Sequence, residues 1–408
     1  MKISITNKKN EKDIHLFIIG ATTSSVKTDD VFKQFKNEFH FKHFTAKRGE
    51  SVDAHDEKGN KYLIIGLGDE KKLCNESLRK EWGTLTKKLS GSKFSHVCVA
   101  LASFKVESLE NTLEIIVEAI GMTNYKFDKY LSDKKQSTLK EIQFYINSAD
   151  LKKFKAIVDS TELLTGSITF AKNLVNEAPN VLNSETCAKF VAEDVKKNLS
   201  SKTVSLKIFD KKMIEKEKMN LFLSVNSGSA YEPRLVHLTY TPAKKTKNMK
   251  HLCLVGKGVT FDTGGYSLKP ATSMVNMKYD MAGSATVYGA FRAAVLQECP
   301  HKISCFMVLT DNAINSMATK PDSIVIGRNG KSVEILNTDA EGRLILADVL
   351  DYACDLKPDA IVDVATLTGA CLVALGSEIC GLMSNCEKLT EEIKNAAKTK
   401  NEYVWQLP

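Results

Sequence analysis

Residues 333–353, VEILNTDAEGRLILADVLDYA, concentrate ionisable groups at one turn. Alternating Val333 and Ile335 predict a strand, and Leu344, Ala347 and Leu350 predict a helix. Between them, Asp339, Glu341 and Arg343 place two carboxylates and a guanidinium within five residues. Two further stretches carry similar chemistry. In LVGKGVTFDTGGYSLKP (254–270) a buried strand ends among glycines with Lys257, Asp262 and Lys269; MKYDMAGSA (277–285) sets Asp280 before a helix start.

Each stretch alone has a plain explanation. Asp280 suits a helix cap, and Asp339 and Glu341 suit the positive end of the helix that follows. Lys257 and Lys269 suit surface or loop charges, and GKG is not the G-x-x-x-x-G-K-[ST] of a phosphate-cradling loop. Together the three stretches say more. Ligands of α/β sheets bind at the carboxyl ends of strands. Four carboxylates and two lysines gathered there call for cations, and carboxylate donors suit hard or borderline divalent metals. None of the eight histidines lies in these stretches, and there is no H-E-x-x-H, which excludes a zincin-type centre.

The elements that must hold these residues follow an α/β pattern. HLFIIG (15–20), KYLIIGLG (61–68) and HVCVALAS (96–103) read as buried parallel strands, with amphipathic helices at 75–89 and 107–122. Gly66 and Gly68 lack the third glycine of a dinucleotide fingerprint and read as a strand-end turn. IQFYI (142–146) is one more strand. The expected domains are an N-terminal α/β domain over 1–146, a helical connector over 147–162 and a catalytic domain over 163–408. The last contains helices at 163–177 and 184–197, strands near 204–208, 235–240, 252–256, 303–309 and 360–364, and a charged loop at 241–250.

A chain of 408 residues exceeds one ordinary core. Its 43% hydrophobic and 26% charged content is that of a soluble globular protein. The net charge of +8 comes from scattered lysines, not from a dense basic run, so nucleic acid is not an expected partner. The ten cysteines form no C-x-x-C pair and mostly lie in apolar runs, which predicts buried free thiols in a reducing compartment. MKISITNKKNEKD has no signal-peptide core, and no stretch is apolar enough to span a bilayer. The expectation is a cytoplasmic protein without a membrane anchor.

NTDAEGRL, GKGVTFDTGGYSLKP, MKYDMAGSA and VDVATLTGACLVALG (362–376) together resemble the M17 leucyl aminopeptidase family. The resemblance runs from about residue 160 to the end of the chain. It is weaker over the first domain, which in the family is a small α/β, macrodomain-like module. It implies an α/β fold whose catalytic domain has a mixed, mostly parallel central sheet, and an aminopeptidase favouring leucine-like N-terminal residues. Two divalent ions would activate water, Zn²⁺ or Mn²⁺ first, with Mg²⁺ or Co²⁺ also compatible.

Carried over by residue, Asp262 and Glu341 would bridge the metals, Lys257 and Asp280 would complete the tighter site, and Asp339 the more exchangeable one. Lys257 would ligate as the neutral amine, its pKa pulled down by the ions. Lys269 would stabilise the oxyanion, and Arg343 would hold a bicarbonate acting as general base. Met277, Thr366 and Gly369 would line the pocket for the first side chain, with the Leu367 backbone aligning the peptide. The partners implied are peptides with a free N-terminus and further copies of the chain in a hexamer.

The sequence departs from the family's pattern at Thr263, usually serine, at Ala282, usually glycine, and in DNAINSMATKPDSI (311–324), looser than the usual loop. Family members also continue beyond EYVWQLP (402–408) with a segment that helps close the pocket and build the assembly. A catalytically inactive family member with a structural, regulatory or DNA-binding role is therefore the alternative, and a bimetallic phosphoesterase a third reading.

Overall fold

The computed structural model describes residues 1–8, 14–38, 40–244 and 246–408; part of the N-terminal stretch and Lys245 of the charged loop lie outside these. The chain divides into two compact units, Met1–Gly166 and Ser167–Pro408.

The first unit is built on β1 (Lys2–Thr6), β2 (Leu16–Thr22), β3 (Ser51–His55), β4 (Lys61–Gly68), β5 (His96–Ala100) and β6 (Glu141–Tyr145). The sheet order is β1-β6-β5-β2-β4-β3, parallel throughout except for β3 against β4. β2 is buried along its whole length, as a continuous apolar run in a parallel sheet should be. Leu16, Ile18, Val97, Val99, Ile142 and Phe144 pack with Trp82 of the helix Asn75–Ser90 and Ile116 of the helix Leu109–Thr123. Full burial of one such side chain contributes about 1.5–3 kcal/mol.

At the end of β4, Gly66 N–H bonds to the Glu50 carbonyl and Gly68 N–H to the Ala46 carbonyl. These donors serve the chain itself, as a strand-end turn requires. A single helix, Leu151–Asn176, occupies the stretch expected to hold a connector and a separate helix, and the division between the units falls inside it.

The second unit contains β7 (Val204–Phe209), β8 (Arg234–Tyr240), β9 (His251–Asp262), β10 (Lys302–Asn312), β11 (Ser323–Ile326), β12 (Ser332–Ile335), β13 (Ala360–Val364), β14 (Cys380–Leu382) and β15 (Val404–Gln406). Its mixed central sheet runs β13-β9-β10-β8-β7, with β13, β9 and β10 parallel and β8 and β7 added antiparallel. Residues of the helices Ser184–Asn198 and Ala282–Leu296 pack in one core with Val236, Leu238, Met307 and Leu309. Residues of the helix Glu341–Asp355 pack in another with Val255, Phe306 and Val308. Asn183 caps Ser184–Asn198, its side chain accepting from the Glu185 and Thr186 amides.

β9 and β10 both extend beyond the expected 252–256 and 303–309. Their parallel pairing continues until Asn312 faces Asp262, with a register shift between Thr310 and Asn312. The hairpin of β11 and β12 then delivers the chain to the charged turn at 337–343.

All ten cysteines are free, but only Cys98, Cys187, Cys253 and Cys305 are buried. The expectation of mostly buried thiols is corrected for Cys74, Cys354, Cys380 and Cys386, which lie exposed on turns, helix ends or short strands. Among the described residues, no helix is long and apolar enough to cross a membrane.

Candidate active site

The parallel strands β9 and β10 aim their carboxyl ends at one place, and three segments converge there. Lys257 and Asp262 lie on β9, Asp280 on the short 3₁₀ turn Met277–Met281, and Glu341 on the first turn of Glu341–Asp355. All four are buried. The cap explanation for Asp280 fails: Met281 occupies the N-cap position of Ala282–Leu296, with no side-chain cap bond. Asp280 turns to Lys257 instead.

The charges interlock in two sets. Lys257 Nζ lies 2.8 Å from Asp280 Oδ1 and 2.8 Å from Glu341 Oε1, and donates to the Thr366 carbonyl at 2.8 Å. Lys269 Nζ lies 2.9 Å from Asp262 Oδ2 and 2.5 Å from Asp339 Oδ1. Oxygens of Asp262, Asp280 and Glu341 come within 4.8 Å of one another. Four carboxylates thus face two ammonium groups.

Burial sets the protonation of this cluster. Asp280 is pushed up to about 7, chiefly by burial and further by Glu341, against the pull of Lys257. Burial also raises Asp339. For Lys257 burial acts downward, but Asp280 and Glu341 outweigh it and favour the ammonium. The same contest, with Asp262 and Asp339, raises Lys269. A neutral Lys257 therefore requires further cations beside it.

The oxygens themselves test whether divalent ions suit this place. Asp280 Oδ2 and Glu341 Oε2 are buried without a hydrogen-bond partner among the described residues. A buried, unpartnered carboxylate oxygen is costly and calls for a cation or donor. Hard oxygen donors with one lysine nitrogen between them fit divalent metals.

Backbone and polar side chains hold the cluster in register. Gly342 is required because a Cβ there would meet Lys257 Cε at 2.7 Å; the lysine passes over it to reach its carboxylates. Gly264 sits at φ +88°, a conformation that favours glycine. Its N–H donates to Asp262 Oδ1 at 2.9 Å. Thr338 Oγ1 donates to the Gly264 carbonyl at 2.7 Å and accepts from Ser267 N at 2.8 Å, tying the 264–269 loop to the charged turn. Thr263, in the family's serine position, donates its hydroxyl to the Asn312 carbonyl at 2.8 Å.

The structure thus gathers Lys257, Asp262, Lys269, Asp280, Asp339 and Glu341. Thr366 joins them: its hydroxyl donates to Asp280 Oδ1 at 2.7 Å and its carbonyl accepts from Lys257. That contact orients the acid cluster, beyond the pocket-lining expectation for Thr366. Met277 opens the 3₁₀ turn and is half-buried, Leu367 is exposed, and Gly369 starts the helix Gly369–Leu375. Arg343 is exposed on Glu341–Asp355, its side chain without an ion pair or hydrogen bond among the described residues. Sequence reasoning missed Asn312 and Thr338. Thr338 stood within the charged turn but is uncharged; Asn312 becomes visible only through strand pairing.

Comparison with known proteins places this arrangement. Residues 169–408 match the cytosol aminopeptidase family's catalytic domain, and residues 28–134 its N-terminal domain. The chain is 38% identical over 353 residues to a probable cytosol aminopeptidase of Clostridium tetani, covering 86% of this chain and 72% of that protein. To the corresponding protein of Campylobacter jejuni it is 40% identical over 353 residues, covering 85% and 70%. Among solved structures, a mutant of tomato leucine aminopeptidase superposes with a TM-score of 0.87 at 26% identity, covering 100% of this chain and 82% of that one. The bottromycin maturation enzyme BotP superposes with a TM-score of 0.81 at 26% identity, covering 97% and 81%. The chain belongs to the cytosol aminopeptidase family and is a peptidase hydrolase.

Proposed function

We propose that this peptidase is a leucyl aminopeptidase: it releases N-terminal residues, leucine-like ones first, from peptides at a centre that holds two divalent metal ions. The observation that carries this reading is the buried cluster of Asp262, Asp280 and Glu341, with oxygens within 4.8 Å of one another and two of them unpartnered. Asp262 and Glu341 would be shared between the ions, Lys257 and Asp280 would complete one site, and Asp339 the other. Zn²⁺ and Mn²⁺ are the first candidates. When bound, such ions supply Lewis-acid polarisation of the scissile carbonyl and a water of lowered pKa.

The chain's own residues do the rest. Lys269, held charged by Asp262 and Asp339, supplies a positive group for the developing oxyanion. Lys257 would hold an ion as the neutral amine, its pKa drawn down by cations beside Asp280 and Glu341. Arg343, exposed two residues after Glu341 and without a side-chain partner among the described residues, would hold a small anion such as bicarbonate, which would take the proton from water. Met277, Thr366, Leu367 and Gly369 would border the first side chain and align the peptide. A substrate's free α-amine would bind one of the ions, so a blocked N-terminus should be rejected. Within this reading the working domain is 163–408, the protein acts in the cytoplasm, and copies of the chain assemble as a hexamer. No observation favours the non-catalytic alternative.

The test compares leucyl and N-acetyl-leucyl chromogenic amides with Mn²⁺ present, for the intact chain and Asp339→Ala. Turnover of the free-amine substrate alone, lost with a chelator and in Asp339→Ala, is the expected result. Equal turnover of the acetylated substrate, or turnover indifferent to chelator, would refute the reading.

A further inference from the structure

Asn312 lies outside every charged stretch, yet it touches two of them. Its side chain is buried at the end of β10. Nδ2 donates to Asp262 Oδ1 at 2.9 Å and to the Thr338 carbonyl at 3.0 Å. The Asn312 carbonyl accepts from the Thr263 N–H at 3.0 Å and its hydroxyl at 2.8 Å. One residue therefore joins the strand that carries Asp262 to the turn that carries Asp339 and Glu341.

The placement depends on the register shift. From Thr310 opposite Val259 to Asn312 opposite Asp262, β9 advances one residue more than β10. Side chains alternate faces along a strand, so an unshifted pairing would set Asn312 opposite Phe261 and turn Asp262 elsewhere. Irregularities of this kind re-aim side chains beside active sites. The chemistry also singles out an amide. Both acceptors need a donor, and an Asn amide nitrogen has two hydrogens to give. Asp262 Oδ1 then holds two donors, Gly264 N–H and Asn312 Nδ2, and Oδ2 is the oxygen left to face Lys269.

We infer that Asn312 is a positioning residue for the metal centre: it fixes Asp262 so that Oδ2 faces the cluster, and it sets the distance between Asp262 and the 338–341 turn. The inference rests on the proposed metal centre. Partners of this kind orient ligating carboxylates, and their loss typically weakens metal binding about 10- to 100-fold.

The experiment is calorimetric titration of Mn²⁺ into the metal-free full chain for wild type, Asn312→Ala, Asp262→Asn and the double variant, with folding checked by circular dichroism. The expected result is binding weakened about 10- to 100-fold in Asn312→Ala, and no further weakening when the same change is made in Asp262→Asn. Asn312→Asp keeps the volume and loses the donors, and it is expected to bind Mn²⁺ as weakly should the alanine variant not fold. Wild-type affinity in a folded Asn312→Ala or Asn312→Asp would overturn the inference, as would the same loss in both backgrounds, which marks a merely structural contact. A wild-type chain that binds no Mn²⁺ would overturn the metal centre and this inference together; binding by wild type with unaffected variants would overturn the inference alone.

Discussion

Two strand ends in this protein look alike in sequence and do different work. β4 closes on Gly66 and Gly68, while β9 carries Gly256 and Gly258 and runs on to Asp262, Gly264 and Gly265. Both belong to sheets with parallel strands, and both ends offer backbone to an approaching group. At β4 the glycine N–H groups bond to carbonyls of the 46–50 segment, and among the described residues no charged side chain of β4 or of that segment is buried. At β9 the strand end gathers buried carboxylates and lysines, and two oxygens remain unpartnered. Glycine at a strand end thus permits close approach; whether a ligand is needed depends on the polar atoms the fold leaves unsatisfied.

That contrast can be broken in four places, in order of falling effect. Glu341→Gln removes one charge from the cluster beside β9 and is expected to lower kcat/KM on a leucyl chromogenic amide by roughly 10³-fold, the scale of losing a key electrostatic group. A loss below tenfold would detach the cluster from catalysis. Gly342→Ala introduces a Cβ 2.7 Å from Lys257 Cε. Overpacking costs about 1–3 kcal/mol of stability, and with Lys257 displaced turnover should drop by about 10- to 100-fold, the scale of disturbing a group that orients a metal site.

The third concerns stability of the catalytic sheet. His237 on β8 stacks on Phe306 at 4.3 Å, and its pKa is pulled down to about 4, chiefly by burial and further by Lys207, His251 and Lys302. The unfolded chain, with an ordinary imidazole, binds this proton more readily, so stability is intact above about pH 6.5 and falls as pH drops toward 4. The loss is at most about 3 kcal/mol. Thermal midpoints measured across this range should fall, and His237→Phe should flatten part of that dependence. Unchanged slopes in the variant would assign the acid lability to other groups. The smallest effect on function belongs to β4: Gly68→Ala, at φ +79°, should cost about 1–2 kcal/mol of stability and leave kcat/KM alone. A large activity loss there would erase the contrast between the two strand ends.

Much of this was legible before the structure. The strands flanking the site announce themselves as continuous apolar runs, and the charged residues stand where strand patterns give way to glycine. β1 and β3, KISIT and SVDAH, are short and alternate polar residues, so their strand signal is weak and only sheet pairing establishes them. The merged helix Leu151–Asn176 is capped by Asp150, whose side chain accepts from the Lys153 N–H, but no proline or internal cap marks its course through the expected connector. Asn312 escaped for a different reason: its importance comes from a register shift between two strands, which one strand's sequence does not encode. Thr366 was expected to line the pocket; that its hydroxyl also donates to Asp280 is visible only through tertiary contact.

The proposed function requires the cluster at the end of β9 to hold two metal ions. Equilibrium dialysis of the full chain against Zn²⁺ or Mn²⁺, followed by elemental analysis, tests it most directly. Two ions per chain are expected in wild type and at most one in Asp262→Asn. Fewer than two ions bound by the folded wild-type chain, or two still bound in Asp262→Asn, would contradict it.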